Sequence, residues 1–173
     1  RTEKVQNSTH TTILIMGGGL GLGSIEETLS ELDKVKLPLK ILVVAGQNEN
    51  LLARLRRTKI SHPMEIFGYV SDVDKLMAAA DLLITKPGAL TMTEAFAVGL
   101  PLILHAPIPG PEFKNAEHAV AHGAAISVGD KKISAVVEEL LNNPARIVEM
   151  KYCAKKFSRP FAASEILKFV LES

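Results

Sequence analysis

Lys86, Glu94, Glu112 and Asn115 fall within one stretch of the chain, DLLITKPGALTMTEAFAVGLPLILHAPIPGPEFKN, from Asp81 to Asn115. They supply an ammonium, two carboxylates and an amide, a set suited to a ligand that carries both hydroxyls and anionic oxygens. A carboxylate accepts two hydrogen bonds, so Glu94 can chelate the vicinal 2′ and 3′ hydroxyls of a ribose. A helix opening at Gly88-Ala89-Leu90 would aim unpaired N–H groups and the positive end of its dipole at a diphosphate. Thr91 and Glu94 also have the T-x-x-E spacing of a capping box. Spacing alone leaves Glu94 open between a ribose ligand and a helix cap.

A second anion-binding signal lies near the start. The apolar run Ile13 to Met16 leads directly into Gly17-Gly18-Gly19-Leu20-Gly21-Leu22-Gly23. Glycines let the backbone approach an anion closely. Gly17-x-Gly19 and Gly18-x-x-Gly21 overlap the G-x-G-x-x-G pattern of dinucleotide folds without reproducing it, and a tight strand-to-helix turn without a ligand is the plainer alternative. An NAD site would want an acid at the end of the second strand to hold a ribose. Here that strand closes on Gly46-Gln47-Asn48, which weighs against a dinucleotide.

The elements that must position these groups are legible as alternating patterns. Short apolar strands are expected at residues 13–16, 40–45, 64–69, 81–85, 101–105 and 124–128. Helices are expected between them, the first capped by Ser24 and a short one capped by Ser71. Further helices cover about 112–122, 133–142, 144–157 and 160–171, with Pro160 separating the last two. Six strands alternating with helices predict an α/β fold with a doubly wound, Rossmann-like parallel sheet. Ligands bind at the carboxyl ends of such strands, where Lys86, Gly88, Glu94, Glu112 and Asn115 fall.

The chain has 173 residues, enough for one well-cored domain. Residues 1–11 are polar and aperiodic and read as a linker or tail, leaving 12–173 as the domain. A chain that opens on Arg1 is expected to be a piece of a longer one. A net charge of +1 gives no basic field for nonspecific nucleic-acid binding. Cys153 is the sole cysteine, so no internal disulfide is available. No apolar run approaches the roughly 20 residues needed to span a bilayer. Asn7-Ser8-Thr9 matches a glycosylation sequon, but with no export signal it reads as a polar tail. The expected location is cytoplasmic, or peripheral on the cytoplasmic face of a membrane.

Four motifs in order, MGGGxGxG (Met16 to Gly23), KPGAxTxxEA (Lys86 to Ala95), GLPLIL (Gly99 to Leu104) and IPGxExxN (Ile108 to Asn115), resemble the C-terminal domain of family 28 glycosyltransferases. Within it the chain is most similar to the monogalactosyldiacylglycerol synthases and the bacterial processive diacylglycerol glucosyltransferases. The lipid II glycosyltransferase of peptidoglycan synthesis is a more distant likeness. The resemblance implies the C-terminal lobe of a GT-B fold, which binds the UDP-sugar donor of a hexosyltransferase acting on a membrane lipid such as diacylglycerol. It implies uracil contacts at Tyr69 and Val70 and a ribose contact at Glu94. The diphosphate cradle would be formed by Gly18, Gly19, Leu20 and Gly21 with Gly88, Ala89, Leu90 and Thr91. Lys86, Glu112 and Asn115 would lie near the sugar and phosphates. Such relatives often carry Gln where Pro111 stands. The acceptor site and catalytic base belong to an N-terminal lobe that this sequence lacks. No cofactor or metal is expected. The alternatives are a nucleotide-sugar epimerase, a non-catalytic nucleotide-sugar sensor and, less readily, a dinucleotide oxidoreductase.

Three features remain outside this set. Asp72-Val73-Asp74 spells the D-x-D of metal-dependent glycosyltransferases, yet at a helix start acids are favoured by the dipole alone. His118 and His122 are spaced to share a zinc on one helix face, with no third ligand evident. Lys151, Lys155, Lys156 and Arg159 make a basic helix face suited either to solvent or to anionic lipid.

Overall fold

The computed structural model describes residues 10–17, 25–105 and 110–172. Its parallel sheet has six strands: β1 (Thr11–Met16), β2 (Leu39–Val44), β3 (Met64–Phe67), β4 (Leu82–Thr85), β5 (Leu102–Leu104) and β6 (Ala125–Ser127). The crossovers carry α1 (Ile25–Leu32), α2 (Glu49–Leu55), α3 (Val73–Ala79), α4 (Ala89–Val98) and α5 (Pro111–Ala121). After β6 come α6 (Ile133–Leu141), α7 (Pro144–Phe157) and α8 (Ala162–Leu171). Strand order is β3-β2-β1-β4-β5-β6. This is the doubly wound order, with its switch point between β1 and β4.

Period-two alternation along the strands sorts the apolar side chains into two layers. Ile13, Ile15, Ile41, Val43 and Ile84 join α1, α2 and α6 on one face. Leu14, Met16, Leu42, Val44 and Leu83 join α3, α4 and α5 on the other. Ile13, Leu14 and Ile15 are wholly buried, as a parallel sheet covered on both sides requires. Helix α7 serves both layers, with Met150 in the first and Ala154 in the second. At the amino ends of the central strands, Asp81 accepts a hydrogen bond from the Thr12 amide (3.0 Å) and pairs with Lys151 (3.2 Å).

The strands sit where the apolar runs predict, with shifted ends: β1 starts two residues earlier, at Thr11, inside the stretch expected as tail, β2 is displaced by one residue, and β3 to β6 are shorter than expected. β3 stops at Phe67 instead of running to Tyr69, because its partner β2 ends at Val44. The last ladder bond, Ala45 N to Phe67 O (2.9 Å), is followed by Gly46 at φ 63°, which turns the neighbouring chain away. Ser71 is not the cap of α3. The N-cap is Asp72, whose carboxylate pairs with Lys75 (2.6 Å) instead of capping, and the Ser71 hydroxyl donates to that same carboxylate (3.2 Å). Pro160 does separate α7 from α8. Helix α8 buries none of its residues, and Ile166, Leu167, Phe169, Val170 and Leu171 are all exposed.

Candidate functional site

Pro87 fixes the start of α4. Its ring sets its own φ and holds Lys86 extended, so the helix opens at Ala89 with Gly88 as N-cap. Thr91 is therefore inside the first turn, and the capping box that its spacing with Glu94 allowed is not formed. Glu94 lies in the second turn, on the side away from the buried Met92, Ala95 and Phe96. It is exposed and makes no ion pair among the described residues.

Gly88 has φ −73° and ψ 130°, angles open to any residue, and a Cβ there would meet nothing within 4 Å among the described residues. None of the described residues requires glycine at this point. The Ala89, Leu90 and Thr91 amides, as first-turn groups, have no acceptor within the helix. Leu90 is 82% exposed, a large apolar side chain standing in solvent beside those donors.

Helix α5 brings the remaining polar groups to the same edge. Gly110 has φ 106°, a conformation that disfavours any side chain. Pro111 follows at the first helical position, where its missing N–H costs no hydrogen bond. The helix then delivers Glu112 to Lys86, whose Nζ donates to Oε1 at 2.7 Å, both side chains being at most one-fifth exposed. One turn on, Asn115 Nδ2 donates to Pro87 O at 3.1 Å. The opening of α5 is thus clamped to the turn that starts α4. Lys86→Met is expected to remove a charge-assisted contact worth about 1 kcal/mol net, lowering the thermal midpoint by about 2–4 °C in a chain of this size. Lys86→Arg should restore most of it. An unchanged midpoint in the Met variant would mean that the pair does not form in solution.

Of the residues implicated from sequence, Lys86, Gly88, Ala89, Leu90, Thr91, Glu94, Glu112 and Asn115 are thus brought together around one turn at the switch point. Tyr69 and Val70 lie on the same sheet edge, in the loop from β3 into α3, which packs on α4. Val70 packs against the second core layer, while Tyr69 is 68% exposed. Gly18, Gly19, Leu20 and Gly21, with Ser24 and Ile108, lie outside the described residues; Gly17 is buried at the end of β1. The acid-free end of β2 also has a structural reason. Asn48 is spent as the N-cap of α2, its Oδ1 accepting the Leu51 amide at 2.9 Å.

Two further groups at this edge carried no sequence signal. Thr85 ends β4 fully buried, its hydroxyl unpartnered among the described residues. His105 follows β5, and burial holds its imidazole below the usual range against an opposing pull from Glu27. It is therefore neutral at pH 7 and adds no charge to the site.

Elsewhere, Asp72 is engaged with Lys75, and among the described residues no three His, Cys, Asp or Glu side chains are grouped to hold a metal. The basic face expected on α7 is divided: Lys151 turns to Asp81, the Lys155 stem lies where a side chain on Gly99 would be, and Lys156 and Arg159 line a groove against α4 and α5.

Comparison with known proteins agrees with this geometry. The sequence profile of the glycosyltransferase family 28 C-terminal domain matches residues 12–166. A processive diacylglycerol beta-glucosyltransferase of Bacillus thuringiensis (strain Al Hakam) is 36% identical over 164 residues, covering 92% of this chain and 42% of that protein. The enzyme of the same name from Bacillus cereus (strain AH187) is 36% identical over 163 residues, with the same coverage. The chain thus spans less than half the length of these relatives. Among solved structures, Acinetobacter baumannii MurG superposes with a TM-score of 0.76 at 24% identity, over 99% of this chain and 55% of that one. The S. aureus MnaA–UDP co-structure gives 0.71 at 15% identity, over 94% and 46%. The fold is that of a GT-B C-terminal lobe, and the chain belongs to the glycosyltransferase family 28 C-terminal domain family.

Proposed function

We propose that this domain holds the UDP-sugar donor of an inverting hexosyltransferase that glycosylates a membrane lipid, diacylglycerol in the first instance. The observation that carries the proposal is the start of α4 at the β1/β4 switch point. A helix N-terminus with no side-chain cap, and with nothing among the described residues within 4 Å of a Cβ on Gly88, stands beside an exposed Glu94 that makes no ion pair among the described residues. First-turn amides and the helix dipole take the diphosphate, and Glu94 takes the two ribose hydroxyls. Glu112, held by Lys86, and Asn115 lie near the sugar and phosphates, while Pro111 offers no side-chain amide. The uracil lies against the Tyr69-Val70 backbone. The names of the relatives supply the lipid acceptor, and a UDP complex on a related fold supports a uridine nucleotide.

The acceptor hydroxyl attacks the anomeric carbon from the face opposite the leaving UDP. As the new C–O bond forms, the bond to the diphosphate breaks, inverting the centre, and the hydroxyl proton passes to a base on the acceptor lobe. The charge developing on UDP meets fixed backbone dipoles, the electrostatic task that a cation performs in other architectures. No metal is needed in this scheme. The acceptor's insolubility calls for peripheral contact with a membrane.

Calorimetry on this chain tests the donor assignment. UDP is expected to bind, ADP and NAD to bind at least about tenfold more weakly, and EDTA to change nothing. Tighter binding of NAD than of UDP, or loss of UDP binding in EDTA, would overturn it.

A further inference from the structure

One step beyond the paired ladder, the strands end in a row across the carboxyl edge of the sheet. Extending the register by one residue aligns Ala45, Gly17, Lys86, His105 and Val128. Hydrogen bonds from His105 N to Thr85 O (3.2 Å) and from Val128 N to Leu104 O (2.9 Å) hold the last two in line. Within this row Lys86 and His105 alone carry side chains that can bear positive charge. They stand on adjacent strands beside the switch point, at the foot of the turn that opens α4. Lys86 is committed to Glu112, so His105 is the group of the row whose charge is still to be decided.

Its surroundings leave that decision close. His105 comes two residues after Ile103, and strand alternation therefore turns it to the α1 layer, where it is half-buried. From the first turn of α1, Glu27 pulls the ring toward imidazolium, but burial outweighs that pull and holds it neutral. On the β4 side stands Lys86, paired with Glu112 at the start of α5. On the β6 side the row continues to the buried Val128, then to the exposed Asp130, and Lys131 beyond it pairs with Glu139. An opposite charge brought within about 4–6 Å moves such a group by about 1–3 units toward its charged form. A diphosphate seated at the start of α4 brings that charge to the end of the same strand pair.

We propose that His105 is a proton-linked contact of the donor's diphosphate, taking up one proton from solvent as the UDP-sugar binds and facing the phosphates as imidazolium. The assignment rests on the donor-binding function proposed above and adds to it a charge that the unliganded site does not carry. The first-turn amides of α4 offer fixed dipoles, whereas His105 offers a full charge that appears with the ligand. In sugar transfer UDP departs with more negative charge than the bound donor had. The proton therefore stays on His105 until UDP leaves, and then returns to solvent. The sign of the pH dependence follows. Burial holds the imidazole below its usual range in the unliganded chain and the diphosphate raises it in the complex, so the added affinity is full at low pH and is lost as pH rises through the value in the complex.

Calorimetry with UDP-glucose tests this. Each phosphorus of that donor is a diester and keeps its charge, whereas the terminal phosphate of UDP has a second ionisation near about 6. Two non-phosphate buffers of different ionisation enthalpy count the protons. The 173-residue chain is expected to take up about 0.3 proton or more per UDP-glucose near pH 6, and to bind at least about threefold more tightly at about pH 5.5 than at about pH 8. His105→Asn keeps a polar side chain that cannot titrate, so uptake should vanish and the affinity should become nearly independent of pH. Glu27→Gln leaves His105 in place and removes the pull toward its charged form, so uptake should persist with its maximum moved to lower pH. His62→Asn, at the amino edge beside β3, should leave uptake at the parental level. Uptake that survives in His105→Asn, or its absence from a parent chain that binds UDP-glucose, overturns the His105 assignment alone. If His105→Asn fails to fold, a maximum that Glu27→Gln does not move overturns it instead. A parent chain that binds no UDP-glucose at either pH overturns the donor assignment, and the proton link with it.

Discussion

Glu94→Gln is expected to weaken UDP binding by about tenfold to a hundredfold while leaving the thermal midpoint within about 1 °C of the parent. The amide keeps the shape and one acceptor oxygen of the carboxylate. It loses the second acceptor and the charge that strengthens both bonds to the ribose hydroxyls, and a hydrogen bond to a charged group is worth about 1.5–3 kcal/mol. The midpoint should not move because the fold does not use this side chain. Glu94 is exposed, has no ion pair among the described residues and lies in the second turn of a helix capped at Gly88. A capping glutamate would behave in the opposite way, costing about 1 kcal/mol of stability when altered and nothing in affinity. Thermal melts and UDP calorimetry on the same preparation therefore discriminate the two roles. A lowered midpoint with parental UDP affinity would refute the ribose assignment.

What the sequence reveals and conceals about this site follows from the range of the interactions involved. The centre of the sheet is legible because β4 and β5, and most of β1 and β2, are runs of β-branched and leucine side chains buried on both faces, whereas the edge strands β3 and β6 carry the exposed Glu65 and Ser127. The start of α4 is more instructive. T-x-x-E spacing at Thr91 and Glu94 satisfies the capping-box pattern, yet Pro87 imposes its geometry first and the helix is under way a turn earlier. A rigid ring upstream prevails over a side-chain preference worth about 1 kcal/mol. Ser71 is displaced from the cap of α3 in a similar way, by an adjacent Asp72 that then spends its carboxylate on Lys75. The Lys86–Glu112 pair and the stacking of the Phe157 ring on His122, with centroids 4.4 Å apart, could not be read locally. Their partners are separated by tens of residues and meet only because β4 and β5 are neighbours and α7 crosses back over α4. His105 escaped notice for a related reason, since its neutral state is set by burial among elements distant in the chain.

The polar inventory of the site explains why its turn can be both rigid and receptive. Lys86 is occupied by Glu112, and Asn115 holds the Pro87 carbonyl, so the β4–α4 turn is fixed before any ligand arrives. The first-turn amides of α4, in contrast, have no acceptor within the helix. In the donor site proposed above, such a preorganised set of donors would lose little conformational freedom on binding a diphosphate.

That division makes Gly88→Asp the most decisive substitution, because its effects on stability and on binding have opposite signs. Gly88 is the N-cap of α4, its extended backbone angles suit aspartate, and a Cβ meets nothing within 4 Å. The new carboxylate would accept from the first-turn amides and complement the dipole, raising stability by about 0.3–1 kcal/mol. The same carboxylate occupies the donors intended for the diphosphate and opposes its charge at close range. At a separation of about 4 Å and an effective dielectric of about 20, one pair of like charges costs about 4 kcal/mol before screening. UDP affinity should therefore fall at least about a hundredfold, about 2.7 kcal/mol, as the thermal midpoint rises. Gly88→Ala separates charge from bulk: the reduced freedom of the unfolded chain is offset by alanine's poorer N-capping, so stability should change little, and it should cost less affinity than the aspartate. Calorimetry and thermal melts on both variants give the answer. Parental UDP affinity in Gly88→Asp, with the midpoint raised as expected, would show that the diphosphate binds away from the start of α4.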